Sequence, residues 1–530
     1  MEAARCVTFG QYLRPHFYLL LLIFLRNGPH TVEGVWPLPQ TFTSSIERSP
    51  LSPEAFYFEY GSQSAAQQGC SVLDAAFTRY FPLIFPDYTG NGVLRFYADK
   101  PFRLVITVDR DDCESYPNED SSERSLIDCL LYIIHLLLTG LETFSQLVYQ
   151  DDFGSYFVNK TEIVDFPRFQ FRGILLDTSR HYLPVKTILQ TLDAMAYSKF
   201  NVFHWHIVDD PSFPYQSRTY PDLSSKGAFH PMTHIYTQSD VRRVISHARL
   251  WGIRVLPEFD SPGHTASWGK GQSDLLTPCY RGSSLSGTFG PVNPVLPSTY
   301  QFMARLFKEV SSVFPDSHIH LGGDEVNFSC WSSNPDIRAF MKKMGFGVDF
   351  TKLEAFYMEN IVNITSALNK TAIVWQDVFD YHELVSDTVL HIWKGTPASY
   401  QAELSRMTKA GMKVLLAAPW YINHISYGQD WHQYYNVQPL DFPGTEEQKK
   451  LVIGGEVCMW GEYVDATNLT PRLWPRASAA AERLWSDEKQ TSSADKAFPR
   501  FQDLRCKLVR RGIRAEPLYV GHCKHEYQGV

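Results

Sequence analysis

Two carboxylates stand side by side in HLGGDEVNFSC, residues 320–330, where Asp324 and Glu325 follow two glycines and a short apolar run. An exposed turn would carry such a pair at no cost. At the end of a buried strand the same pair could do acid–base work. Mutual repulsion would raise the pKa of one member and keep it protonated for donation. Successive strand side chains point to opposite faces, so the two acids can share a direction only if the backbone turns. Gly322 and Gly323 permit that turn. A GGDE string alone also fits a surface turn, so the surrounding elements must supply the site.

Other residues with chemical potential recur at the carboxyl ends of apolar runs. They are Asp177 and Arg180, Asp209 and Asp210, then Glu258, Asp260 and His264. Further along stand Trp375 and Asp377, Trp393, the trio Trp420, Tyr421 and Asn423, and finally Trp460 and Glu462. Indole faces stack on the apolar face of a sugar ring, while acids and amides bond its hydroxyls. Several tryptophans among acids on one rim therefore point to carbohydrate. The HWH triplet raises a metal alternative, because His204 and His206 share a strand face and could bind zinc with His264 and Asp209. Both histidines precede the end of their strand, which favours packed, hydrogen-bonded rings, and no metal is assigned. No G-x-S-x-G nucleophile turn sits in a strand–turn–helix context.

The elements that would position these residues follow a rhythm. After residue 165, eight apolar runs alternate with helix-period segments: 171–179, 199–210, 253–264, 318–326, 371–379, 388–395, 412–422 and 451–464. Near-continuous apolar strands imply burial on both faces, as in a parallel sheet. Val241, Val244, Ile245 and Ala248 carry helical spacing, with Ser239 as N-cap and Gly252 at the C-terminal end. Eight such units predict a (β/α)₈ barrel, whose reactive face is the carboxyl end of its strands. The stretch 277–294 reads as a structured loop, and 475–487 and 492–512 as closing helices. No glycine-rich phosphate fingerprint supports an open, doubly wound sheet. Residues 35–165 lack the rhythm and read as a small α+β domain, with a strand at 55–60 and a helix near 126–138. The catalytic barrel domain is then 166–530.

Composition narrows the class. The chain has 530 residues, 44% hydrophobic and 14% aromatic, with a net charge of −8. That balance offers no basic patch for nucleic acid and no basic stripe for an anionic membrane surface. FYLLLLIFL, residues 17–25, is too short to span a bilayer and reads as the core of a secretory signal within 1–34. The apolar run 129–138 is also too short to span. Of nine cysteines, Cys6 would leave with the signal, and most of the rest would pair in an oxidising compartment. The sequons at Asn159, Asn363, Asn369 and Asn468 fit a glycoprotein, and the one at Asn327 touches the proposed site and is read as bare. Cys458 reads as an inert buried thiol.

HLGGDEV, DTSRHYLP (177–184), NVFHWHIVDDPSFPY (201–215), EFDSPGHTASW (258–268), WGEYV (460–464) and PRLWPRASAAAERLWS (471–486) together resemble glycoside hydrolase family 20, the β-N-acetylhexosaminidases. The likeness runs from about residue 35 to the C-terminus and is nearest to the lysosomal alpha-type members. It implies an exo-glycosidase that removes terminal β-linked N-acetylglucosamine or N-acetylgalactosamine from glycolipids, glycoproteins and glycosaminoglycans. The implied mechanism is retaining, with the substrate's own acetamido group as nucleophile and no cofactor. Glu325 resembles the general acid and base, and Asp324 the residue that holds the acetamido N–H. Tyr421 matches the tyrosine that bonds the acetamido oxygen, and Trp375, Trp393 and Trp460 the indoles around the ring. Arg180 and Glu462 match a pair that bonds hydroxyls, while Asp209 and His264 match groups that tune the acid.

The resemblance also implies disulfides Cys70–Cys113, Cys279–Cys330 and Cys506–Cys523, with Cys129 and Cys458 free. It implies a lysosomal location and a dimer, with itself or with a beta-type subunit, and a lipid-activator protein as a further partner. Two positions depart from the alpha-type pattern. Asn423 is followed by His424 where the family has arginine, and GSSL at 282–285 stands where a GSEP loop is expected. Histidine, with a typical pKa of ~6.5, is mostly protonated at acid pH, so a preference for anionic substrates could survive. Two other classes fit the bare residues: a sugar-binding protein without turnover, and a metal-dependent barrel hydrolase.

Overall fold

The computed structural model describes residues 34–526 apart from 91–100, 109–112, 114, 119–124, 128–129, 132–133, 382–386 and 425. The signal segment, Cys6 and Cys129 lie outside the described residues. Among those described, no helix is long and apolar enough to cross a membrane.

Ahead of the barrel, β1 (Thr41–Leu51), β4 (Ser125–Ile127) and β6 (Tyr149–Gln150) pair antiparallel with β7 (Tyr156–Asp165). A second, parallel sheet joins β2 (Phe56–Tyr60), β3 (Phe102–Ile106) and β5 (Leu130–Leu131). The expected strand at 55–60 is β2. The expected helix near 126–138 is displaced: its first half forms β4 and β5, and the helix is Ile134–Leu147. The run at 129–138 is apolar except for His135, so its first residues carry no helical stripe to hold them. The stripe begins at Leu138 and continues through Leu141, Phe144 and Leu147, all buried.

Every one of the eight later runs contributes a strand. They are β8 (Phe171–Asp177), β9 (Val202–Val208), β10 (Arg254–Phe259), β13 (His318–His320), β14 (Thr371–Trp375), β15 (Val389–Ile392), β16 (Lys413–Leu416) and β17 (Val452–Met459). They pair parallel in chain order, and β17 closes on β8. Residues 277–294 are more regular than a loop. They form a hairpin, β11 (Leu276–Arg281) and β12 (Ser284–Val292), pinned by Cys279–Cys330 to the segment after β13. Cys70–Cys113 and Cys506–Cys523 also pair, and Cys458 is a buried free thiol. Helix Gln238–Leu250 is capped by Thr237 and not by Ser239. Thr237 and Asp240 form a reciprocal capping box, which needs the acid three residues on.

The barrel interior changes character with height. Phe171, Val202, Leu256, Ile373, Val389 and Leu415 form an apolar plug at its lower end. Above it come His204, Glu258, His320, His391 and Glu456, all fully buried. Gly173 makes room for them, since a Cβ there would lie 2.6 Å from Glu456 Oε2. Leu175, Trp375, Ala417 and Cys458 cover this polar layer, with Trp393, Tyr421 and Trp460 packed against them.

The barrel is tied to the preceding sheet by a buried ion pair. Lys199 Nζ lies 2.6 Å from Asp165 Oδ2, Trp485 Nε1 donates to Asp165 Oδ1 at 2.7 Å, and the ammonium sits 4.4 Å from the Trp485 ring centroid. Both charged side chains are buried, so removing one leaves the other uncompensated. Asp165→Asn should therefore lower stability by about 3–5 kcal/mol in urea unfolding. Restoring most of it in Asp165→Leu/Lys199→Met would identify the stranded charge as the cause.

Candidate active site

Asp324 and Glu325 lie beyond the end of β13, on a backbone that turns sharply. Gly322 and Gly323 have φ of 70° and 94°, and Glu325 itself has φ of 52°. Asp260, just past β10, organises the turn: its Oδ1 accepts from Gly323 N at 3.0 Å. Burial and the neighbouring Asp324 charge push the Asp260 carboxyl well above the usual carboxylate range. The turn separates the two acids. The Asp324 side chain is 11% exposed and that of Glu325 is 59% exposed. Asp324 Oδ1 is buried with no hydrogen-bond partner, an acceptor left open within the site. His264, also at positive φ (53°), stands between them, with Nε2 3.6 Å from Asp324 Oδ2 and 3.7 Å from Glu325 Oε2. Non-glycine residues held in this region concentrate at functional sites.

A charged line leads back from His264. Its Nδ1 lies 3.2 Å from Asp209 Oδ1. Asp209 Oδ2 meets His206 Nε2 at 2.7 Å and Arg180 Nη2 at 2.9 Å. Burial opposes the charged His264 ring, but the surrounding acids, with Asp209 and Asp324 against its two nitrogens, outweigh it and hold its pKa far above the ordinary value. Burial likewise opposes the Asp209 carboxylate, and His206, His264 and Arg180 reverse the balance, so its pKa falls below the usual range. Arg180 also binds Asp177 Oδ2 at 3.0 Å and stands 3.9 Å from Glu462 Oε1. Asp177 takes Gly461 N at 3.0 Å, which joins the first and last strand ends.

Aromatic rings wall the same mouth. Trp375 and Trp460 have centroids 6.1 Å apart, Trp393 and Tyr421 6.3 Å, and Tyr421 and Trp460 6.4 Å. Trp375 Nε1 donates to Glu258 Oε1 at 2.8 Å, and Trp393 Nε1 to Asp377 Oδ2 at 2.8 Å. Burial pushes the Tyr421 hydroxyl well up, so it stays a donor, and the Asp324 charge acts on it too. Asn423 is half-buried with Oδ1 unpartnered, and the exposed His424 ring lies 6.3 Å from Tyr421.

The structure thus brings together Arg180, Asp209, His264, Asp324, Glu325, Trp375, Trp393, Tyr421, Trp460 and Glu462. Trp420, from the same rim, turns away: it is fully buried and donates to Tyr434 O. His204 and His206 face the barrel interior on Glu456, Glu258 and Asp209, as packed rings do. His204, Glu258 and His320, or Asp209, Asp210 and His264, are close enough to share an ion. Within these groups Glu258 already accepts from Trp375 and His206, and Asp209 already meets His206, His264 and Arg180. Glu258, Asp260, Asp177 and Asp377 stood among the strand-end acids, but nothing in the sequence distinguished them as supports. A cavity of about 830 Å³ between the segment at 34–42 and helix Ala494–Arg510 has no tryptophan in its lining and holds none of these residues.

The model of "Glycosyl hydrolase family 20, catalytic domain" matches residues 169–488. Beta-hexosaminidase subunit alpha of Bos taurus is 55% identical over 529 residues, covering 96% of this chain and 98% of that one. Beta-hexosaminidase subunit beta of Homo sapiens is 53% identical over 512 residues, covering 94% and 91%. Among solved structures, Flavobacterium johnsoniae chitobiase superposes with a TM-score of 0.78 at 27% identity, covering 91% of this chain and 73% of that one.

The turn at Gly322 gives a direct test. A Cβ there would fall 1.7 Å from Asp260 Oδ1, on a backbone that side chains rarely adopt. Gly322→Ala should lower the melting temperature, with about 1–2 kcal/mol from backbone handedness alone and more from the clash. An unchanged melting temperature would mean that the turn is not under this constraint.

Proposed function

The chain belongs to glycosyl hydrolase family 20, and from that premise we propose how its own residues divide the reaction. It hydrolyses terminal β-linked N-acetylglucosamine and N-acetylgalactosamine with retention, and the substrate's acetamido group serves as nucleophile. Glu325, exposed at the mouth, gives its proton to the leaving oxygen as the anomeric C–O bond breaks. The acetamido carbonyl oxygen bonds to the anomeric carbon and forms an oxazolinium ion. Glu325, now a carboxylate, takes a proton from the water that reopens the ring. Asp324 accepts the acetamido N–H and stabilises the positive charge that develops there. Tyr421 donates to the acetamido oxygen. Trp375, Trp393 and Trp460 enclose the group, while Arg180 and Glu462 bond sugar hydroxyls. Asp209 orients His264, which steadies both acids.

The observation that carries this reading is the split environment of the two acids. An exposed Glu325 can meet a leaving group, while a buried Asp324 presents an unpartnered acceptor. Glu325→Gln should lower kcat on a nitrophenyl N-acetylglucosaminide by roughly 10²–10⁴-fold. Unmodified protein should keep its full rate after exhaustive EDTA treatment, and a loss there would favour a metal-dependent reaction.

The relatives support a wider reading. Residues 35–165 form an accessory α+β domain, and 166–530 the catalytic barrel. The protein works in the lysosome as a dimer, with itself or with a beta-type subunit. Asn363 and Asn369 are exposed and can carry glycans, whereas the Asn159 amide already bonds Tyr149 and Ser45. The hairpin turn at 282–285 is the docking point for a lipid-activator protein, with Ser284 and the exposed Leu285 in place of an acid and a proline.

His424, next to Asn423 at the mouth, is the side chain on which a preference for anionic substrates would rest. The rate ratio of a 6-sulfated to a neutral substrate should exceed one at acid pH and fall toward one in His424→Ala. Equal turnover of both substrates at acid pH would remove His424 from substrate selection.

A further inference from the structure

Beneath the site, one buried carboxylate faces four ring nitrogens, two of which hydrogen-bond it. Glu258 Oε1 accepts from Trp375 Nε1 at 2.8 Å and lies 3.1 Å from His320 Nδ1. Oε2 lies 2.6 Å from His206 Nδ1 and 3.1 Å from His204 Nε2. Two of these contacts lead to the reacting groups. Trp375 is a wall of the acetamido pocket. His206 passes to Asp209 at 2.7 Å, Asp209 to His264 at 3.2 Å, and His264 Nε2 stands 3.7 Å from Glu325 Oε2. For His206 to donate from both ring nitrogens it must be an imidazolium between two carboxylates, and losing either one frees the ring to turn. We propose that Glu258 is a positioning residue that couples the two halves of the reaction, fixing the acetamido wall through Trp375 and the proton donor through His206, Asp209 and His264.

The proposal rests on the roles assigned to Glu325 and Trp375 above. The groups facing Glu258 make its ionised state the stable one. His204 and His206 on β9 and His320 on β13 draw its pKa well below the usual range, against the effect of burial. His204 in turn is pushed up to about 9, because Glu456 and Glu258 outweigh the burial of its ring. His391 on β15, by contrast, is held well below the ordinary histidine range by burial and by His320 and His204. Glutamine at 258 keeps the shape but loses the charge and half of the acceptors.

A residue that only filled the barrel would slow all substrates alike, whereas a coupling residue would not. In Glu258→Gln, kcat/KM for a disaccharide should fall about a hundredfold, the scale expected when a catalytic group is misplaced by about an ångström. A dinitrophenyl glycoside, whose leaving group needs no proton, should lose far less. The rate ratio of N-propanoyl to N-acetyl substrate should rise about tenfold, the scale on which a pocket discriminates one methylene. Two further variants keep the test intact if Glu258→Gln does not fold. His206→Gln should reproduce the leaving-group dependence, and Trp375→Phe the acyl change without it. Equal losses on every substrate in these variants would overturn the proposal. Glu325→Gln separates the two readings. If it too shows no leaving-group dependence, the donor assignment falls with the coupling. If it shows the dependence and Glu258→Gln does not, only the role of Glu258 falls.

Discussion

A carboxylate buried in a barrel must be met by donors, because removing an ion from water costs several kcal/mol even after the protein relaxes. This chain buries Glu258 in the middle of its barrel and meets it with the His206 ring and the Trp375 indole, with the His204 and His320 rings beside it. The packing above and below follows from that demand. An apolar plug closes the lower end, Gly173 leaves space for the Glu456 side chain, and an indole layer seals the upper end. The bonds to Glu258 give the His206 and Trp375 rings defined orientations. The floor of the site is therefore in place before any substrate arrives.

The acids above this floor are set by backbone more than by side-chain packing. Gly322 and Gly323 carry the chain over Asp260 in a conformation that other residues rarely adopt, and Glu325 and His264 are themselves held at positive φ. The turn resolves the conflict between adjacent carboxylates. One goes into the pocket and one toward solvent, with the His264 ring placed between them. Strain of this kind persists only where surrounding contacts determine it, and the strand ends of the closed barrel supply them.

Electrostatic balance then differentiates chemically similar groups. Asp209 and Asp260 are both buried aspartates near His264. Asp209 meets His206, His264 and Arg180 and is held ionised, whereas Asp260 faces the Asp324 charge and is pushed toward its neutral form. Neither outcome belongs to aspartate as a residue type. Each depends on which neighbours the strand order brings close.

The sequence by itself determined the barrel and the location of its reactive rim. Apolar runs bounded by polar turns encode burial through local periodicity, so all eight strands and the paired acids at the end of β13 could be read directly. It also showed where aromatic residues and acids gather along the rim. It did not show that the apolar stretch near residue 130 divides into strands before its helix, because a run without periodicity suits either. It could not separate Trp375, whose indole enters the site, from Trp420, which packs away from it, nor mark Glu258 as the group that holds the indole. Those distinctions depend on contacts between strands far apart in the chain, such as β10 with β9 and β14. Only closure of the barrel creates the low-dielectric interior in which a carboxylate must find its donors.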